Sequence, residues 1–217
     1  MCGRFALNEN PKKFAEHFNL SGEVNLSPSW NIAPSTLIST ITANEEERRH
    51  FYQMKWGLIP SWIKDSKIGN KPINARSETV AKNPMFKSAF RSHRCIIPAS
   101  GFYEWKTVNG VKQPYYISLK SGEPMAFAGL WETWHDVQTC CVITTSANSL
   151  MEQIHERMPV ILGQEAWGAW LSPNEHHADN LLSMIRPCDG ELMQAWPVSR
   201  ELNRVGLRND ARLIEPL

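Results

Sequence analysis

Gly101-Phe102-Tyr103-Glu104-Trp105-Lys106-Thr107-Val108-Asn109-Gly110-Val111-Lys112-Gln113-Pro114-Tyr115-Tyr116-Ile117-Ser118 reads as two strands around a two-residue turn. Aromatic and β-branched residues on both sides favour extended backbone, and Asn-Gly accepts the positive φ angles that a type I′ hairpin turn demands. Working outward from this hairpin, β-like runs occupy 37–42, 50–56, 94–97, 115–119, 125–131 and 139–145. They are not spaced by helices in a βαβ rhythm. The expected fold is therefore α+β, a mainly antiparallel, curled and barrel-like sheet with short flanking helices. Three helices are signalled. Asn10-Pro11 supplies a cap and a first-turn proline ahead of Phe14, Ala15 and Phe18, and Asn83-Pro84 repeats the device ahead of Met85, Phe86, Ala89 and Phe90. At Ser172-Pro173, Glu175 completes a capping box and Ala178, Leu181, Leu182 and Ile185 follow at helical spacing until Pro187.

The 217 residues are 42% apolar and 21% charged, enough for one core, and no repeat or low-complexity linker divides them, so a single domain over 1–217 is expected. No run of about eighteen apolar residues and no signal-peptide pattern is present, which reads as a soluble cytoplasmic chain with no membrane partner. Cys2, Cys95, Cys140, Cys141 and Cys188 are odd in number and lack C-x-x-C spacing, which argues against disulfides, metal and cofactor. A net charge of +1 leaves any anion-binding surface to a local cluster. Most of the nine tryptophans suit core and edge packing.

Five segments are candidates for chemistry. Loss of the initiator methionine from Met1-Cys2-Gly3-Arg4 would leave Cys2 with a free α-amine beside its thiol, groups that titrate at about 7.7 to 8.0 and about 8.5. Such an aminothiol condenses with an aldehyde to an imine, and its sulfur then closes a five-membered thiazolidine. The plain alternative is an unordered tail. Asn74-Ala75-Arg76-Ser77-Glu78-Thr79 looks like a helix start, able either to cap itself or to hold a phosphate through its amides and Arg76. Glu104 lies inside an aromatic strand, so it is either ion-paired, Arg76 being one partner, or shifted toward proton transfer. His155 follows the strand at 139–145 in a loop, where it can be an acid or base or a structural imidazole. Trp56-Gly57-Leu58-Ile59-Pro60-Ser61-Trp62 supplies two turns flanked by tryptophans, ahead of a loop from Lys64 to Lys71.

Together with Cys2-Gly3-Arg4-Phe5, Asn31-Ile32-Ala33-Pro34, Gly101-Phe102-Tyr103-Glu104-Trp105 and His155-Glu156-Arg157-Met158-Pro159, these motifs resemble the SOS-response-associated peptidase family, also described as abasic-site processing proteins. The resemblance covers essentially the whole chain. It implies a thiazolidine crosslink to the opened sugar of an abasic site in single-stranded DNA, made by a monomer without a cofactor. By the same resemblance Cys2 is the nucleophile, Asn74 orients it, Glu104 is an acid/base residue and His155 delivers a proton. Arg4, Arg76 and Arg157 would clamp phosphates, and Pro34 and Trp62 would meet neighbouring bases. Ile63 stands where the family can carry a second aromatic, so stacking there is expected to be weaker or differently placed. The family name also implies autoproteolytic exposure of Cys2 behind a longer extension; with only Met1 ahead of it, an aminopeptidase suffices.

Two other readings stay open on the residues. Cys2 could serve an amidase or peptidase whose own amine is the base, which predicts turnover of an amide. Alternatively the aromatics and arginines could bind single strands without chemistry, in which case binding ignores the lesion and weakens with salt.

Overall fold

A computed structural model of the protein describes residues 2–64, 71–204 and 208–217. In chain order the elements are β1 (Phe5–Leu7), α1 (Pro11–Phe18), β2 (Ser29–Ile32), β3 (Leu37–Ala43), β4 (Arg49–Trp56), β5 (Asn74–Arg76), α2 (Lys87–Ser92) and β6 (Arg94–Ala99). They continue with β7 (Gly101–Val108), β8 (Val111–Leu119), β9 (Met125–Trp134), β10 (Val137–Ser146), β11 (Arg157–Pro159), α3 (Trp167–Leu171), α4 (Ala178–Met184) and β12 (Met193–Pro197). One sheet runs β12-β8-β7-β1-β2; the other runs β11-β10-β4-β3-β6-β9, and β9 pairs again with β10 to close a ring. Pairing is antiparallel apart from β10 with β4 and with β5. The α+β fold with a curled, mainly antiparallel sheet follows the reading of the sequence.

The β7–β8 hairpin turns at Asn109 and Gly110, both at positive φ (49° and 77°), as the type I′ turn requires. Its first residue is fixed by space. A Cβ on Gly101 would sit 2.4 Å from Tyr116 Cζ and 2.6 Å from the Ile117 carbonyl oxygen, and the backbone atom has nowhere to go. Gly101→Ala is therefore expected to cost about 1–3 kcal/mol, the range for overpacking, read as a lowered urea midpoint with an unchanged slope.

Three sequence expectations need correction. Residues Asn74 to Arg76 begin no helix; they form β5, in parallel register with Val142, Ile143 and Thr144, because β10 offers an open edge there. Asn83 does cap, its Oδ1 accepting from Met85 N at 2.9 Å, but the chain turns until Lys87 before α2 begins. Ser172 closes α3 instead of opening a helix, and α4 starts at Ala178 after Glu175 has accepted from the main-chain N–H of His177 at 2.7 Å. The cause is Arg94, whose guanidinium takes the carbonyls of both Ser172 and Glu175 and bends the chain between them. Within the loop expected from Lys64 to Lys71, residues 65–70 lie outside the described residues.

The two sheets share an apolar cluster that includes Cys2, Phe5, Phe102 and Ile117 from one side and Ile38, Trp56, Ile97, Phe127 and Val142 from the other. Phe5 meets Trp56 and Phe127 edge to face, at 5.2 and 6.1 Å between ring centroids. Each fully buried aromatic ring contributes on the order of 2–3 kcal/mol, so the first strand is pinned by its own side chains. That pinning sets what precedes it: Cys2 is 0% exposed, and the unordered-tail alternative is overturned. No helix among the described residues is long and apolar enough to cross a membrane.

Candidate active site

Cys2 and Asn74 are joined directly. Asn74 Nδ2 donates to the Cys2 carbonyl at 2.9 Å, a contact made possible by β5 lying beside β10. Because that acceptor is a carbonyl, the amide orientation is decided, and Asn74 Oδ1 is left buried without a hydrogen-bond partner among the described residues. It is an acceptor available to an N–H or O–H group arriving at Cys2. Burial first, and the Glu104 carboxylate second, raise the Cys2 thiol far above its ordinary pKa, so the sulfur is held as the neutral thiol.

Glu104 comes from β7 of the other sheet and is 2% exposed. Together with Arg4, Trp105, Lys112, His155 and Asn203 it lines an open cleft of about 590 Å³. The ion pair between Glu104 and Arg76 considered from the sequence is not formed: Arg76 is exposed on β5, and the two residues belong to different sheets. Arg4 is nearly buried. Its Nη1 donates to Asn31 Oδ1 at 2.6 Å and more weakly to the Leu202 carbonyl at 3.4 Å, and its guanidinium sits 6.0 Å from the Trp105 ring centroid. Asn31 in turn donates to the Arg208 carbonyl at 3.0 Å, and Trp105 Nε1 donates to Asn203 Oδ1 at 2.6 Å. Asn203 thus lines the cleft, and the carbonyls of Leu202 and Arg208 brace its wall.

His155 lies in the loop between β10 and β11, as expected from its place after the strand. Its Nδ1 accepts from the main-chain N–H of Arg157 at 3.0 Å, which selects the form carrying its proton on Nε2. Arg157 is engaged as well: its guanidinium grips Glu78 and donates to the Thr144 carbonyl at 2.7 Å. The grip holds the Glu78 carboxyl below its ordinary pKa.

The fold therefore gathers Cys2 with Asn74, and Arg4, Glu104 and His155 around one cleft with Arg157 behind. Pro34, Trp62 and Arg76 lie outside the cleft lining: Pro34 is half-buried in the turn between β2 and β3, Trp62 is 61% exposed, and Arg76 is exposed. Trp105, Lys112, Asn203 and the supporting Asn31 went unassigned in the sequence reading. Asn31 stood within a quoted motif, so a signal existed; Asn203 belongs to no motif, and only tertiary structure brings it to the cleft.

Residues 1–205 match the sequence model of the SOS response associated peptidase (SRAP) family. Abasic site processing protein YoqW of Bacillus subtilis strain 168 is 45% identical over 99% of both chains. Abasic site processing protein YedK of Escherichia coli K12 is 28% identical over the full length of both, and abasic site processing protein HMCES of Xenopus tropicalis is 32% identical over 81% of this chain and 62% of its own. The crystal structure of a Bacteroides thetaiotaomicron protein superposes with a TM-score of 0.90 at 26% identity, covering all of both chains. With a match of that extent and full-length relatives at that identity, the chain belongs to the SOS response associated peptidase family.

Proposed function

We propose that the protein processes abasic sites in DNA, and that it does so by capturing the ring-opened sugar of a single-stranded site on Cys2. The reading agrees with the names its relatives carry. The observation that carries it is the joining of Cys2 to Asn74 beside a cleft lined by Glu104 and His155. Once Met1 is lost, the Cys2 amine adds to the sugar aldehyde carbon, and water departs as the imine forms. The Cys2 sulfur then bonds to that carbon, its proton passes to the former amine nitrogen, and a thiazolidine results. One water leaves overall and no oxidant is needed. Glu104 is placed to move protons during imine formation. The Nε2–H of His155 can donate a hydrogen bond to an oxygen of the opened sugar.

Arg76 supplies the exposed phosphate contact, and Trp62 and Pro34 give a stacking surface for flanking bases, worth about 1–3 kcal/mol per base. Arg4, tied to Asn31, contributes positive charge to the cleft wall.

The test is incubation of the protein with a single-stranded oligonucleotide bearing one abasic site. A heat-stable band on a denaturing gel is expected, with the summed mass of Met1-trimmed protein and oligonucleotide less one water. Absence of that species would sink the reading, and catalytic turnover of a peptide or amide in its place would favour the amidase alternative. Asn74→Ala removes the donor to the Cys2 carbonyl. Losing such a bond costs about 1–3 kcal/mol, so single-turnover adduct formation should slow between about fivefold and about 150-fold while binding to undamaged strand is unchanged.

A further inference from the structure

Arg157, Arg208 and Arg212 each hold a carboxylate. Arg4 is different. It is only 8% exposed, yet among the described residues its acceptors are neutral: the Asn31 amide oxygen at 2.6 Å and the Leu202 carbonyl at 3.4 Å. Taking a cation out of water without a counter-charge is costly, and burial accordingly lowers the Arg4 pKa. Its Nε is enclosed with no hydrogen-bond partner among the described residues. Nη2 donates to no acceptor among them either, but it is not enclosed, and the side chain lines the cleft. A guanidinium so placed is aimed at something outside the chain.

Asn31 does the aiming. It stands on β2, which pairs with β1 so that Ile32 faces Phe5. Its Nδ2 donates to the Arg208 carbonyl at 3.0 Å, which fixes Oδ1 toward Arg4. Arg208 is itself anchored, to Glu201 at 2.6 Å and to Asp210 at 3.4 Å. We propose that Asn31 is a positioning residue for strand binding: a neutral acceptor, backed by the C-terminal segment, that aims the Arg4 guanidinium into the cleft and leaves its charge for a phosphate. A carboxylate at the same place would grip Arg4 and cancel it, whereas an amide orients without neutralising. The inference rests on DNA being the substrate and names the residue that sets one phosphate contact.

Asn31→Asp tests this by placing a carboxylate against Arg4. Binding of an undamaged single-stranded oligonucleotide at about 0.1 M salt is expected to weaken about fivefold, and the slope of log affinity against log salt to flatten by about 0.7, the loss of one phosphate contact on a single strand. In an Arg4→Gln background the same substitution should change affinity and slope little, because the charge to be cancelled is already gone. Asn31→Ala, which frees the guanidinium without neutralising it, should weaken binding less and keep the wild-type slope. Side-chain ¹⁵N spectra give a readout without DNA: Arg4 should show two resolved Nη signals in wild type and in Asn31→Asp, and a single averaged one in Asn31→Ala. An unchanged salt slope in Asn31→Asp overturns the inference. So does an equal loss of affinity in both backgrounds, which would mark general repulsion, and so do averaged Nη signals in wild type. Should wild type bind no strand, the DNA reading fails, and the ¹⁵N spectra still decide by themselves whether Asn31 holds Arg4.

Discussion

Cys2→Ala is expected to abolish the heat-stable adduct with abasic single-stranded DNA while leaving the protein folded. Alanine removes the sulfur that closes the ring but keeps an α-amine at the same place, so the first condensation survives and the second cannot occur. Borohydride should still trap an imine, and strand cleavage by β-elimination from that imine should appear where wild type shows shielding. The lost buried contact is worth about 1 kcal/mol, too little to unfold the chain. Intact mass spectrometry, denaturing gels and a thermal melt distinguish these outcomes, and an undiminished thiazolidine species in the variant would end the assignment. A pH profile of wild type adds a signed expectation. The amine must be neutral to attack, so the rate should rise through about 7.7 to 8.0. Burial and Glu104 hold the thiol pKa well above its ordinary range, so no second rise is expected near about 8.5.

Arg94→Ala is expected to cause the largest loss of stability without touching the cleft. Arg94 is 4% exposed, and its guanidinium serves five carbonyls: Trp170 at 2.7 Å, Phe90 at 3.1 Å, Ser172 at 2.6 Å, Glu175 at 2.9 Å, and Arg91. Those oxygens lie at the ends of α2 and α3 and just beyond, where helices leave acceptors unmatched. Removing the donor strands several of them in a part-buried place, a change of about 3–5 kcal/mol, or roughly 6–20 °C in Tm for a chain of this size. Arg94→Lys should fall between, since one ammonium cannot span five acceptors. A Tm within about 2 °C of wild type for Arg94→Ala would refute the assignment. Below the melting range, adduct formation by the variant should match wild type.

The hairpin at Asn109-Gly110 and the strands at 37–42, 50–56 and 139–145 were legible because their signals are local: a turn dipeptide that tolerates positive φ and side chains that favour extended backbone. β5 was not, since three residues become a strand only where another strand lends its edge. The capping box at Ser172 failed for a similar reason: Arg94, nearly eighty positions away, claims the carbonyls that a helix start would have oriented otherwise. In the site, Cys2 stood out through chemistry that its position alone confers. Its burial depends on Phe5 finding Trp56, which nothing near residue 2 announces. The resemblance marks Arg157 as a phosphate clamp, and only the fold reveals its pairing with Glu78.

The placement of β1 has a mechanical consequence. It is bonded on both edges, to β2 and to β7, and Phe5 is keyed between Trp56 and Phe127. Tension on a strand joined to Cys2 would enter the protein at this interior β-strand and would have to shear two ladders and extract a buried ring before the chain could yield. A DNA motor pulling on such a joint would meet resistance at its point of attachment, where a tether through a flexible tail would simply pay out.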